Sequence, residues 1–259
     1  MTRQLITRRS ALRGIIGTGG LVLSGCDQLS QNQTFQRMLA GAEKLNLGGQ
    51  RLVLNSSTPL AREYQKSDIS RVFKANGTIR PEGDAYRNLA LAQFSDWKLQ
   101  IGGLVNKPLS FSLGELRNMP SRTQITRHDC VEGWSAIGQW TGVPLSTLLK
   151  LADLKPNAKY IVFRCADDLI GSRDGSGLYY ESIDLVDAFH PQTIMAYAMN
   201  GQTLPVEHGA PLRLRVERQL GYKMAKYVMR IEAVEEFSKI GIGKGGFWED
   251  RGYEWYAGI

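Results

Sequence analysis

The sequence predicts a single α+β domain, on three observations. Short segments alternate apolar and polar residues at period two, as in Trp97-Lys98-Leu99-Gln100-Ile101 and Leu212-Arg213-Leu214-Arg215-Val216, which is the pattern of half-buried strands. Short helical stretches such as Ser146 to Leu151 are interspersed among them, none long enough for a bundle. There is also no internal repeat, no low-complexity tract and no linker of domain scale.

The first 25 residues read as an export signal and are set aside from the fold. Thr7-Arg8-Arg9-Ser10-Ala11-Leu12 is a twin-arginine pair, the run from Gly14 to Leu23 is apolar and glycine-rich, and Leu23-Ser24-Gly25-Cys26 has the form of a lipoprotein cleavage site. The apolar run is shorter than the roughly 18 residues a spanning helix needs. Cys26 is then the expected lipidated N-terminus, with contact to the inner membrane and a periplasmic location. Residues 26–60 read as a tether and surface helix, with Phe35, Met38, Leu39 and Leu45 near helical spacing, and residues 61–259 as the domain itself. The segment from Asn55 to Asn88 is irregular, and a long irregular segment in a compact domain is uncommon unless functional.

The remaining elements follow in order. Ser112 with Glu115 three residues on is a capping-box spacing that starts a helix. Tyr160 to Cys165 is β-branched and strand-like, and a polar glycine-rich loop runs from Gly171 to Gly177. A short helix is expected over Ile183 to Ala188, and a strand over Thr193 to Met199 running into the turn Asn200-Gly201. Tyr227 to Glu236 closes the set as a loosely alternating strand.

Charge excludes one class of function. The formal charge of +7 includes Arg3, Arg8, Arg9 and Arg13 of the signal, which holds no acid, so 7 − 4 leaves +3 for the remainder. No basic run points to nucleic acid. With Cys26 assigned to the lipid, Cys130 and Cys165 remain, and a structural disulfide is not expected.

Candidate chemistry lies in two stretches. In Arg127-His128-Asp129-Cys130-Val131-Glu132-Gly133-Trp134-Ser135, Val131 and Trp134 read as core contacts, and Glu132 and Ser135 as polar residues able to face a cleft. Cys130 is either a small buried hydrophobe or a thiolate, its pKa lowered by Arg127 and His128. The second stretch joins His208-Gly209-Ala210-Pro211-Leu212-Arg213 to Gly221-Tyr222-Lys223-Met224-Ala225-Lys226; its glycines permit close backbone approach and its cations suit an anion, although charges on a strand more often line a solvated face. Phosphate-loop glycine motifs, CxxC and HxxxH are absent from the sequence.

Taken together, five blocks in register resemble the molybdopterin-binding oxidoreductases of the sulfite oxidase family: Cys130 to Ser135, Trp140 to Leu145, Ala196 to Gly201, Leu204 to Arg213, and Gly221 to Tyr227. They span Trp97 to Glu236, more than half of the chain. The resemblance implies the sulfite oxidase-type fold of mixed sheets with short helices, here without the haem domain or the immunoglobulin-like dimerisation domain. It implies a molybdenum-molybdopterin cofactor with Cys130 as the thiolate ligand to molybdenum. Asn76, Cys165, His208, Arg213, Met224, Ala225 and Lys226 would hold the cofactor, Arg213 and Lys226 through its phosphate, with the backbone between Lys223 and Lys226 closing round the anion. Tyr253 would stand near the substrate mouth, although the tail from Gly245 to Tyr256 also reads as an aromatic clasp over the core.

One departure bears on substrate. Where sulfite oxidases carry Arg-Asn-His, this chain has Ala75-Asn76-Gly77, with Lys74 or Arg71 as the nearest replacement charge. The expected activity is therefore oxygen-atom transfer between the metal and a small substrate, S-oxide or sulfite-like. Because CxxCH is absent, electrons must pass to a redox partner protein, a cytochrome or membrane haem subunit. Two other classes remain open on the residues alone: a cysteine hydrolase using Cys130 with His128 or His208, and a cofactor-less binding lipoprotein on the same fold.

Overall fold

A computed structural model describes residues 59–172 and 175–259, together with scattered positions from Asn32 to Gly49. The Arg8-Arg9 pair and Cys26 lie outside the described residues. Two units make up the chain, Met1–Pro59 and Leu60–Ile259. In the first, Asn32 Oδ1 accepts from the backbone N–H groups of Thr34 and Phe35, a side-chain cap on the helical positions that follow, where Met38 and Leu45 are exposed. Among the described residues no helix is long and apolar enough to cross a membrane.

The second unit is built on two five-stranded assemblies. Strands β1 (Lys98–Gly103), β2 (Leu109–Ser112), β5 (Tyr160–Asp168), β6 (Leu178–Asp184) and β10 (Val228–Val234) form one sheet, in the order β2-β1-β10-β5-β6. Strands β3 (Arg122–Asp129), β4 (Ser135–Pro144), β7 (Ile194–Met199) and β8 (Gln202–Thr203) form the other, in the order β3-β4-β7-β8, and β9 (Arg213–Arg215) joins the free side of β7. All pairings are antiparallel except β1 with β10. The helices are short: α1 (Asp84–Leu91), α2 (Leu113–Asn118), α3 (Leu145–Ala152) and α4 (Leu185–Ala188). The class is α+β, as the alternating strands and short helices predict.

Local chemistry accounts for most boundaries. Ser112 accepts from the Glu115 N–H while Glu115 accepts from the Ser112 N–H, the reciprocal cap the spacing predicts for α2. Asn200 and Gly201 both have positive φ, as a two-residue hairpin turn requires, and connect β7 to β8. Two boundaries differ from expectation. Ile183 belongs to β6 rather than to a helix, because Asp184 caps the turn and starts α4 only at Leu185. The irregular segment ends earlier than Asn88: α1 begins at Asp84 and buries Tyr86, whose hydroxyl donates to the Ala210 carbonyl at 2.6 Å.

The segment before α1 is irregular but anchored. Phe73 packs its ring near those of His128, Trp140 and His208 at 5.5–5.6 Å, and Gly138 on β4 leaves room for it. Residues 74–78 are thereby brought to the end of the β3–β4 hairpin.

Candidate active site

Cys130 sits at the tip of that hairpin. Asp129 pairs with Ser135, the Cys130 N–H donates to the Trp134 carbonyl at 2.9 Å, and the Gly133 N–H returns to the Cys130 carbonyl at 3.0 Å. Gly133, at φ 85, supplies the left-handed backbone this loop needs. Cys130 opens into a cavity of about 160 Å³, lined among others by Asn76, Thr78, Glu132, Asp167, Met224 and Lys226, with Tyr222, Trp248 and Tyr253 forming an aromatic wall. The irregular segment, the hairpin tip, the 221–226 loop and the C-terminal tail therefore meet at one place.

Strand parity corrects the expected activation of the thiol. Gln124, Thr126 and His128 point inward from β3, so Arg127 faces outward, where it pairs with Asp129 at 2.9 Å. Burial and the neighbouring cations Arg215 and Arg213 push His128 well down, and it is neutral. Its Nδ1 lies 3.1 Å from Arg215 Nη1 and 3.3 Å from Met224 Sδ. Neither Arg127 nor His128 lowers the Cys130 pKa; burial pushes that thiol up. Among the described residues neither His128 nor His208 is hydrogen-bonded to Cys130, which removes the geometric basis of a Cys–His hydrolase.

The arginines of β9 are not on a solvated face. Arg213 and Arg215 are both buried and lie over the ring of the buried Trp140, at 4.8 and 4.4 Å. Arg215 is neutralised by Glu217 at 2.6 Å. Arg213 is not: one nitrogen donates to the His208 carbonyl at 3.0 Å, while Nε and Nη2 are buried without a partner. Lys226 donates to the carbonyls of Asn76 (2.7 Å), Glu207 (3.0 Å) and Thr78. Burial, with Arg213 next in size, pushes Lys226 down to about 7, and the same two causes push His208 down to about 4. Arg213 thus depresses both Lys226 and His208, and three nitrogen-bearing groups without a carboxylate between them suit an anion.

Other expected positions divide. Asn76, Met224, Lys226 and Tyr253 line the cavity, whereas half-buried His208 and buried Arg213 and Ala225 do not. Cys165 is buried in the core and does not line the cavity; Asp167, two residues along β5 and so on the same face, does. Cys130 and Cys165 are both free. Val131 is 46% exposed and lines the mouth instead of entering the core, because its strand partner would lie beyond the hairpin tip. Glu132 faces the cavity as expected, whereas Ser135 bonds Asp129 at 2.5 Å and does not line it. The Lys223 side chain turns away from the site to Glu181 and Glu249. The tail is both clasp and wall: Trp248 stacks on Tyr253 at 5.3 Å, and Tyr222 meets Tyr253 edge-on at 5.1 Å.

Sequence reasoning missed Asp167, Tyr222 and Trp248. Asp167 is 4% exposed, its Oδ1 has no partner, and burial raises it to about 6. The doubled acid Asp167-Asp168 at the end of a buried strand was the available signal.

Residues 87–240, over half the chain, match the oxidoreductase molybdopterin binding domain. The chain belongs to this family. A putative protein-methionine-sulfoxide reductase subunit YedZ1 of Azospira oryzae is 37% identical over 256 residues, spanning 98% of this chain and 89% of that one. Among solved structures, the sulfane dehydrogenase SoxCD of Paracoccus pantotrophus matches with a TM-score of 0.48 at 26% identity, over 55% of this chain and 39% of that chain. The protein is thus a molybdopterin-binding oxidoreductase, and its residues fit the cofactor. Cys130 offers a soft donor at the cavity, and the unpartnered N–H groups of Arg213 offer an anion the charge-assisted bonds it would accept. Among the described residues, no group of three or more His, Cys, Asp or Glu gathers to hold a metal.

Proposed function

We propose that this oxidoreductase reduces a small S-oxide to its thioether. The sulfur–oxygen bond breaks, two electrons and two protons are consumed, and the oxygen leaves as water, the electrons coming from a separate redox protein. When bound, the cofactor supplies a metal able to cycle between oxidation states and exchange one oxygen atom with a substrate. The observation carrying the reading is that Cys130 lines one cavity together with the aromatic cluster Tyr222, Trp248 and Tyr253. Such a cluster receives the apolar substituents that flank the sulfur of an S-oxide. The name of the Azospira oryzae relative supports the direction of transfer, and its description as a subunit supports a redox partner, a cytochrome or membrane haem subunit.

The chain's own groups have distinct tasks in this reading. Arg213 and Lys226 hold the cofactor's phosphate, and His208 stands beside them. Tyr253 orients the substrate at the mouth, where it is 38% exposed. Reduction consumes two protons, and Asp167, on the cavity wall with Oδ1 unpartnered and its pKa raised by burial to about 6, is placed to take up and deliver one. The twin-arginine pair and the Leu23-Ser24-Gly25-Cys26 site support export to the periplasm and a lipid anchor on Cys26. Exchange of Arg8 and Arg9 for lysine is expected to retain a cofactor-loaded precursor in the cytoplasm; undiminished export rejects that route.

The test is metal analysis with a substrate screen on protein from its native host. Molybdenum near one per chain and turnover of S-oxides are expected, and Cys130→Ser is expected to fold and to lack turnover. Full activity in the serine variant, or zinc in place of molybdenum, overturns the reading.

A further inference from the structure

Around the cavity mouth the charged groups do not present themselves equally. Lys226 is turned inward onto three carbonyls, and Asp167 is buried. Glu132 lines the cavity and is half exposed, with 49% of its side chain open. It is fixed from two sides: the Trp134 indole N–H donates to Glu132 Oε2 at 2.8 Å, and Lys74 Nζ reaches the same oxygen at 3.1 Å. Lys74 also lies over the Trp134 ring at 5.6 Å and is not itself part of the lining. A ligand in the cavity therefore meets a carboxylate held in place, with its countercharge outside the lining and already engaged.

We infer that the Lys74–Glu132 pair, clamped on Trp134, is a charge filter that admits neutral S-oxides and rejects oxyanions. The inference rests on the S-oxide reading above and adds the residues that decide between the two substrate classes. An oxyanion such as sulfite must bring its negative charge past Glu132 while Lys74 is already engaged. A sulfoxide carries no net charge, and its carbon substituents meet Val131, Tyr222, Trp248 and Tyr253 instead. The two members of the pair must then act with opposite sign. Removing Glu132 leaves an unpaired ammonium that recruits anions, and removing Lys74 leaves an unpaired carboxylate that excludes them more strongly.

Two unreactive probes read this directly on the holoenzyme by quenching of tryptophan fluorescence: sulfate for the oxyanions, dimethyl sulfone for the neutral class. Glu132→Gln keeps an oxygen to accept from Trp134 and is expected to tighten sulfate binding by about 5-fold, the range of a partly exposed ion pair. Lys74→Met is expected to weaken it by a similar factor. Dimethyl sulfone affinity should stay unchanged in both, and added salt should shrink the sulfate differences. Sulfate affinity that does not move, or that moves in the same direction in both variants, overturns the filter, as does a sulfone affinity that follows it. Turnover of S-oxides by the wild type is scored separately. If sulfate responds as expected while no S-oxide is turned over, the filter stands and the S-oxide reading falls.

Discussion

Lys223 and Lys226 lie three residues apart on one buried loop, and their surroundings are opposite. Lys223 sits between Glu181 and Glu249, under the ring of Trp255, with no solvent exposure. Burial lowers its pKa, but the two carboxylates outweigh burial and the net shift is upward. Lys226 meets backbone carbonyls and the neighbouring Arg213, and burial with that arginine brings it down to about 7. A buried cation closed off by carboxylates belongs to the fold; one left among carbonyls and other cations belongs to a ligand. Sequence alone gives both positions the same letter in the same loop.

The largest expected effect falls on the closed cluster. Lys223→Met strands Glu181 and Glu249 in the core and should destabilise by about 3–5 kcal/mol, a fall in Tm on the order of 10 °C for a unit of this size. The drop should be equal with and without cofactor in a thermal melt. A drop confined to the holoenzyme would place Lys223 in the cofactor site and erase the contrast.

A smaller and differently signed effect is expected at the open cluster. Arg213→Met removes a buried guanidinium with two unpartnered nitrogens, so apo stability should be unchanged or higher. Loss of one or more charge-assisted hydrogen bonds of about 1.5–3 kcal/mol each should weaken cofactor retention roughly 10- to 150-fold. Molybdenum content after dialysis and paired apo and holo melts measure both. An apo Tm falling as far as that of Lys223→Met would make Arg213 a structural residue.

The last effect is a pH dependence, gradual rather than a step. Lys226 has its ordinary pKa of 10.5 lowered to about 7 on folding. Between those values the unfolded chain binds the proton that the folded apo protein does not, so apo stability should rise with pH across that window. Below about pH 7 the contribution is flat, since both states are protonated. Lys223, shifted upward, keeps its stabilisation throughout. Apo melts at several pH values from 7 to 10 check the sign; a bound anion, which holds Lys226 charged, should flatten the slope in the holoenzyme.

Local signals in the sequence went a long way. The Ser112–Glu115 box, the Asn200-Gly201 turn and the alternation of β1 each state a backbone preference within five residues, and each appears as expected. Cys130, Asn76 and Tyr253 were found through motif register, and the structure brings all three to one cavity. What stayed hidden needs distance in the chain. Lys223 finds Glu181 42 positions away and Glu249 26 positions away, and nothing at either end announces the pairing. The exposure of Val131 depends on where the β3–β4 hairpin stops, and the burial of Arg213 on β9 joining β7, neither of which alternation alone can specify.

The parallel pairing of β1 with β10, the one such pair among the described residues, has a consequence for the order in which the protein can be made. Gln100 stands opposite Arg230, 130 positions later, and β10 lies between β1 and β5 at the centre of its sheet. Until the ribosome has delivered β10, the earlier strands of that sheet can form only the separate hairpins β1–β2 and β5–β6, with one edge of each left unpaired. Trp248, Glu249 and Tyr253 come later still, so a nascent chain that already carries Cys130 has neither a finished sheet nor the complete lining of its cavity. A chain stalled before residue 228 is therefore expected to bind chaperone at those open edges and to hold no molybdenum.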